Sequence, residues 1–205
     1  MEPRPYYILF AGVNGAGKST LFQSDLWQHG GFNVTIPRVN PDEIIVANGW
    51  DWRRESDQIK AGRLAINSIR QHLERRDSFN QETTLTGKTI MRTLRHAHEI
   101  GYRIIVFYVC VSEPELANTR IARRGTAGGH LINPKTVARR YETSIANLVE
   151  IADICDELYL YDNTVSLELE ARFESGELAF FNPAEPHLAW IARIMNALGY
   201  ADVDF

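Results

Sequence analysis

Apolar residues fall along this chain in two rhythms. Short continuous runs bounded by turn formers predict buried strands, and apolar positions three and four apart predict amphipathic helices. Tyr6–Val13 is the first run, aromatic and β-branched, and a glycine-rich turn follows it at once. Ser19 to Gln28 predicts a helix ending near Gly30-Gly31, and Asn33–Val39 a second, more polar strand. Arg54–Arg76 is a long helical stretch in which Ile59, Gly62, Ile66, Ile69 and Leu73 form one apolar face. Ser78–Thr83 predicts a short strand. Gly87–Ile100 predicts a helix with Thr86 as N-cap and Gly101 as stop signal. Arg103–Val111 (RIIVFYVCV) is the most continuous apolar run and reads as a central strand covered on both faces. Helices are predicted from Pro114 to about Arg124 and over Val137–Val149, where Val137, Tyr141, Ile145 and Leu148 share a face. Gly125–Pro134 between them is glycine-rich and irregular, and Glu157–Tyr161 is a further strand.

Strands alternating with helices imply a parallel sheet with helices on both faces. After Asn163 the pattern changes. Val165–Phe173 and Glu177–Phe181 flank Ser175-Gly176 as a β-hairpin, and a last helix over about His187–Leu198 carries Leu188, Ile191, Met195 and Leu198 on one face. The sequence holds no repeat, linker or low-complexity segment, and its 205 residues fit one domain. The hairpin and last helix, residues 165–198, are expected to be additions to that domain.

The turn after the first strand carries the clearest chemistry. Gly12-Val13-Asn14-Gly15-Ala16-Gly17-Lys18-Ser19 matches GxxxxGK[ST], placed after a predicted strand and before a predicted helix. Glycines let backbone N–H groups turn inward onto phosphate oxygens, Lys18 reaches the β- and γ-phosphates, and the Ser19 hydroxyl binds Mg²⁺. Gly12, Asn14, Gly15, Ala16, Gly17, Lys18, Ser19 and Thr20 are therefore expected to hold ATP. The fold class is α/β: a P-loop NTPase-type parallel sheet with helices on both faces, plus a C-terminal β-hairpin and helix.

Absent motifs narrow the class. There is no NKxD guanine-reading motif and no LSGGQ-like signature, and Arg103–Val111 lacks a terminal Asp of the Walker B kind. Asp162 ends a strand late in the chain and reads as structural. A small kinase remains, whose carboxylates come from strand ends near the substrate. Asp42, after the second strand, could take a proton from a substrate hydroxyl, or equally could cap the helix that follows Pro41. Glu43 is its neighbour and competitor. Glu82 ends the third strand beside Thr83 and Thr84, a group suited to hydroxyls or to Mg²⁺-bound water, or else an ordinary polar strand end. Trp50 and Trp52 are either a substrate wall or packing. His96 and His98 face different directions on a helix and do not make a metal pair.

Charge changes the picture further. The chain sums to −4, yet Leu116 to Tyr141 contains no Asp or Glu and six cations: Arg120, Arg123, Arg124, Lys135, Arg139 and Arg140. The remainder therefore carries −10. The centre of this segment is Gly125-Thr126-Ala127-Gly128-Gly129-His130. Over about residues 120–140 a cationic lid hinged on glycines suits phosphoryl transfer, since arginines stabilise the moving phosphoryl and closure excludes water. A solvated basic helix face or a nucleic-acid patch are the alternatives, the second without interleaved aromatics. The two cysteines, Cys110 and Cys155, sit in apolar stretches and read as buried reduced thiols of a cytoplasmic protein. No apolar run is long enough for a membrane span, and the N-terminus has no signal-peptide pattern.

At this point the chain resembles the zeta-toxin family of P-loop kinases. The segments that carry the resemblance are AGVNGAGKST, VNPDEI, FNQETTLTG, GYRIIVFYV, RRGTAGGHLINPKTVARRYETS and LYLYDN, in the family's order over about residues 6–163. The short spacing and GGH resemble a free-standing branch without the longer C-terminal region of the larger toxins. The resemblance implies transfer of the γ-phosphoryl of ATP to a hydroxyl of a nucleotide sugar such as UDP-N-acetylglucosamine, with Mg²⁺, and a separate antitoxin as partner. It makes Lys18 the P-loop lysine, Ser19 the Mg²⁺ ligand, Asp42 the general base, and Glu82 and Thr83 substrate or metal-water contacts, with Thr84 beside them a further candidate for substrate binding. Arg120 and Arg124 would enter the lid and Arg139 and Arg140 leave it, with Arg124 and Arg140 on the transferring phosphoryl and Arg120 and Arg139 on the nucleotide. Other readings remain: a kinase of another small molecule or of a nucleic-acid end, or a non-enzymatic ATP-binding switch.

Overall fold

The computed structural model describes residues 3–28, 36–126, 132–182 and 188–201, with backbone alone at 124–126. Its strands follow the apolar runs. Tyr6–Ala11 (β1) is buried from Tyr7 onward, and Arg38–Val39 (β2) is a two-residue edge. Phe79–Thr83 (β3), Arg103–Cys110 (β4) and Glu157–Asp162 (β5) complete a parallel set. Glu168–Glu174 (β6) and Glu177–Phe181 (β7) add the hairpin, antiparallel, to the β5 edge. The order is β2-β3-β1-β4-β5-β6-β7. Consecutive strands that are not neighbours require crossovers, and the helices provide them.

Every residue of β4 from Ile104 to Cys110 is buried, as a strand covered on both faces requires. Aromatic rings tie the centre together. Phe107 stacks on Phe10 of β1 at 5.4 Å and on Tyr159 of β5 at 4.6 Å, and Trp27 stands edge-on to Phe10 at 5.3 Å. Such contacts add to the burial itself. Cys110 and Cys155 are free thiols, both buried.

The helices are Lys18–Gln23 (α1), Pro41–Ala47 (α2), Glu55–Arg75 (α3), Lys88–Glu99 (α4), Pro114–Thr126 (α5), Pro134–Ile151 (α6) and Ala189–Ala197 (α7). In α6, Val137, Tyr141, Ile145 and Leu148 face the core, as their spacing predicts. Four expectations are corrected. The first helix stops at Gln23, and Leu26–Gln28 is a separate 3-10 turn. The buried stripe of α3 is Asp57, Ala61, Ala65, Ile69 and Leu73, while Ile59 and Ile66 are 47% and 46% exposed and a Cβ on the half-buried Gly62 would meet open space. Small alanines let this helix approach its neighbours closely, and the bulky isoleucines lie beside the contact. The cap of α4 is Gly87, not Thr86, whose hydroxyl bonds that of Thr84. The helix after Pro41 is capped by Asn40, not Asp42: the Asn40 side chain accepts from the Asp42 N–H at 3.0 Å, and proline takes the first helical position. The start of the second predicted strand, the middle of the basic segment and the start of the last predicted helix lie outside the described residues.

The strand ends divide the chemistry. At the amino edge, Arg4 pairs with Asp156 at 2.7 Å and Arg103 with Glu157. The glycine-rich turn, Asn40, Glu82 and Asp162 all gather at the carboxyl edge, where open α/β sheets bind their ligands.

Candidate functional site

The chain leaves β1 through Gly12 and turns into α1 at Gly17. Gly12 has φ +135°, and a Cβ there would stand 2.0 Å from the Val109 carbonyl oxygen. Gly17 caps α1 at φ +112°, and its Cβ would stand 2.1 Å from Asn163 Nδ2. Side chains are excluded at both positions by conformation and by space. The loop is thereby pressed against β4 on one side and the turn after β5 on the other. Asn163 Nδ2 donates to the Ala16 carbonyl at 2.7 Å, holding that turn and the loop together.

Lys18 is buried. Its ammonium donates to the Val13 carbonyl at 3.2 Å and lies 4.0 Å from Glu82 Oε1. The Ser19 hydroxyl donates to the Glu82 carboxylate at 3.1 Å. Glu82 is placed by the register of β3, which sets it opposite Phe10 of β1. It also accepts from Arg38 Nη2 at 2.6 Å and Asn40 Nδ2 at 3.2 Å. Arg38 is itself fixed: its guanidinium lies 3.5 Å from the centroid of the Phe22 ring and donates to Glu43 at 2.8 Å. A hydroxyl and a carboxylate within hydrogen-bond distance are the hard oxygen donors that Mg²⁺ prefers. A glycine cradle with one buried lysine suits phosphate oxygens. The residues present therefore fit both groups.

Beside the loop is a cleft of about 410 Å³, into which Asn14, Asp42 and Arg140 project with Trp52, Gln58, Ile45 and Ile132. Asp42 is exposed there, on the first turn of α2. Arg140 Nη1 donates to Asn14 Oδ1 at 2.8 Å, so α6 touches the glycine-rich loop. Burial, and then the charge of Arg139, lower the Arg140 pKa from its ordinary value. An anion in the cleft would relieve that cost. Trp52 is held by the first turn of α3: Gln58 Nε2 donates to the Trp52 carbonyl at 2.7 Å, and Asp57 accepts from the Asp51 N–H at 3.2 Å. Trp50 instead lies under the Lys60 ammonium at 5.4 Å.

The other expected residues are more scattered. Thr83 Oγ1 accepts from the Leu85 N–H and Thr84 Oγ1 pairs with Thr86, so both hydroxyls serve the turn after β3. Arg120 donates to the Thr164 carbonyl at 3.0 Å. Thr20 and Arg139 are exposed. The Arg124 side chain and the lid centre lie outside the described residues. Asp162 is buried under Thr164 and Trp190 and does not face the loop. Sequence reasoning missed Arg38, Asn40 and Asn163 as parts of the site. Two of these lie in segments that carried the resemblance, VNPDEI and LYLYDN. Arg38 had no signal, because its partner Glu82 is 44 residues away.

Among the described residues, no group of three or more His, Cys, Asp or Glu is placed to hold a metal, and no helix is long and apolar enough to cross a membrane. A protein of the PezAT chromosomal toxin-antitoxin system of Streptococcus pneumoniae is similar in fold: TM-score 0.57 and 16% identity over 96% of this chain and 79% of that one. The AvrRxo1-ORF1:AvrRxo1-ORF2 complex with sulphate ions gives TM-score 0.64 and 13% identity over 97% of this chain and 65% of that one. The same complex with ATP gives TM-score 0.54 and 13% identity over 87% and 61%. An uncharacterized protein of Haemophilus influenzae is 34% identical over 140 residues, covering 65% of this chain and 91% of that protein. The family model described as AAA domain (AAA_33) matches residues 8–144, more than half of the chain and all of the glycine-rich loop, β3 and β4. With its parallel sheet and glycine cradle, the chain belongs to this AAA domain family of P-loop proteins.

Proposed function

We propose that this protein is an ATP-dependent kinase of a hydroxyl-bearing small molecule. The observation that carries the reading is the shared cleft: Asp42 and Arg140 both line it, together with Asn14 of the phosphate loop, to which Arg140 donates. A base, a cation and a phosphate cradle at one strand edge are the parts that phosphoryl transfer needs. Asp42 accepts the proton of the acceptor hydroxyl, whose oxygen attacks the γ-phosphorus of ATP. The bond to the β–γ bridging oxygen breaks and ADP leaves. Lys18 and Arg140 stabilise the charge on the transferring group, with Arg124 joining from the lid, and Arg120 and Arg139 contact the nucleotide. Ser19 and Glu82 would hold Mg²⁺, which would offset the negative charge of the phosphate oxygens during transfer. Thr83 and Thr84 shape the turn after Glu82, and Trp52 forms a wall of the acceptor pocket.

The motif resemblance and the fold shared with a toxin-antitoxin protein support a zeta-toxin-type kinase. On that reading the acceptor is a nucleotide sugar such as UDP-N-acetylglucosamine, an antitoxin is the protein partner, and residues 1–205 act as one kinase unit in the cytoplasm. The ATP-bound complex of similar fold supports ATP as donor.

The test is a transfer assay with labelled ATP against nucleotide sugars, simple sugars, nucleosides and oligonucleotides. Transfer to a nucleotide sugar is expected. Asp42→Ala should lower it on the order of 10² to 10⁴-fold, the usual contribution of a general base, with ATP affinity within about two-fold of the parent. Undiminished transfer by Asp42→Ala would sink the assignment of the base. Labelling of oligonucleotide ends alone would replace the acceptor class.

A further inference from the structure

The C-terminal helix α7 has no part in the mechanism above, yet one of its side chains reaches the turn that holds the phosphate loop. Asp162, the last residue of β5, is 6% exposed. Its carboxylate accepts from the Thr164 N–H at 2.7 Å, the Thr164 hydroxyl at 3.0 Å and the indole N–H of Trp190 at 3.0 Å. All three donors are neutral. Among the described residues no cation pairs with this buried carboxylate, so it depends on its hydrogen bonds, and losing one leaves an oxygen under-satisfied. The indole N–H, buried with its ring, needs the acceptor in turn.

The turn that follows Asp162 joins three elements. Asn163 N–H donates to the Cys110 carbonyl at the end of β4, at 2.9 Å, and Asn163 Nδ2 to Ala16 in the loop. Thr164 Oγ1 accepts from the Ser112 N–H at 2.8 Å, and the Thr164 carbonyl accepts from Arg120 of α5. Phosphate loop, central strand and basic segment therefore share one three-residue turn, and its buried end is held by α7. The helix is anchored elsewhere too, through Arg193 to Glu142 on α6 at 2.9 Å.

We propose that Trp190 is a positioning residue for the phosphate loop. It fixes Asp162, Asp162 fixes the turn, and Asn163 then sets the Ala16 carbonyl and the path of Gly17. This rests on the reading of Gly12–Ser19 as a nucleotide site.

The test uses the full chain with Trp190→Phe, Asn163→Ala and both together. Phenylalanine keeps an aromatic ring and removes the donor. ATP affinity by calorimetry is expected to fall about five-fold in each single variant. The double variant should be no weaker than Asn163→Ala alone, because the two act in series. Hydrogen exchange of the free protein over residues 12–20 is expected to quicken in Trp190→Phe. Should Trp190→Phe not fold, Asp162→Asn breaks the same network from its other end with little change of volume, and the same results are expected. A folded Trp190→Phe with unchanged ATP affinity and unchanged exchange over the loop overturns the proposal, as do additive effects in the double variant. If the parent protein binds no ATP, the nucleotide reading fails, while the exchange measurement still decides whether α7 positions the loop.

Discussion

Cys110 shows what burial does to a single residue here. Removal from water, the largest effect, pushes its thiol up to about 12 from an ordinary value of 9.0, and burial likewise raises Cys155. Neither side chain meets solvent, so both should resist a thiol reagent until the protein unfolds. The sign of the pH effect follows. A thiol raised on folding contributes stability that is complete below its unfolded value near 9 and is lost as pH climbs towards 12. Urea midpoints are therefore expected to fall between pH 9 and pH 11, and Cys110→Ala should flatten the fall. A flat midpoint in the parent protein over that range would contradict it. The residue scale was also where sequence reading reached furthest. The glycine-rich motif was legible because its residue types answer to local geometry at fixed spacing. Glu82 was legible as a strand-end carboxylate suited to hydroxyls or to Mg²⁺-bound water, but its protein partners were not. Its partners Arg38 and Asn40 become neighbours through parallel pairing of β2 with β3, which no local spacing encodes.

At the scale of the element, α3 gives the clearest lesson. Its existence and length followed from periodicity, but its buried face did not. The isoleucines weighed most in the pattern, whereas the contact is made by Ala61 and Ala65, with Ile69 and Leu73 behind them. Small residues mark close approach and contribute little to an apolar count. Leu73→Ala should cost about 2–5 kcal/mol, and Ile59→Ala within about 0.5 kcal/mol, read from urea denaturation. Equal costs would restore the face that includes Ile59. A similar displacement occurred at α2. The cap lies two residues before Asp42 because proline occupies the first helical position. With Asn40 as the cap, the rival explanation for Asp42 weakens, and the carboxylate remains at the mouth of the cleft. The hairpin and α7 were legible as elements but not as parts of the site, since the bond from Trp190 to Asp162 spans 28 residues.

Across the whole molecule, the alternation of strands and helices was enough to give the parallel sheet and its class, and strand order placed the candidate chemistry at one edge. The opposite edge also carries charge, but in closed pairs. Arg4 bridges Asp156 and donates to the Tyr102 carbonyl at 2.6 Å, joining the N-terminal segment to the starts of β4 and β5. Arg4 is half exposed, so Arg4→Ala is expected to cost about 1 kcal/mol or less, which for a chain of this size lowers Tm by roughly 2–4 °C. ATP affinity should not change, and a weakened affinity in a folded Arg4→Ala would show that the two edges are coupled. The sheet thus separates two kinds of heritable change. On the proposed reading, variation at the amino edge would alter how long a molecule survives, and variation at the carboxyl edge what it does while it survives. A lineage with that division could adjust the protein's lifetime, or trade one acceptor for another, without each change undoing the other.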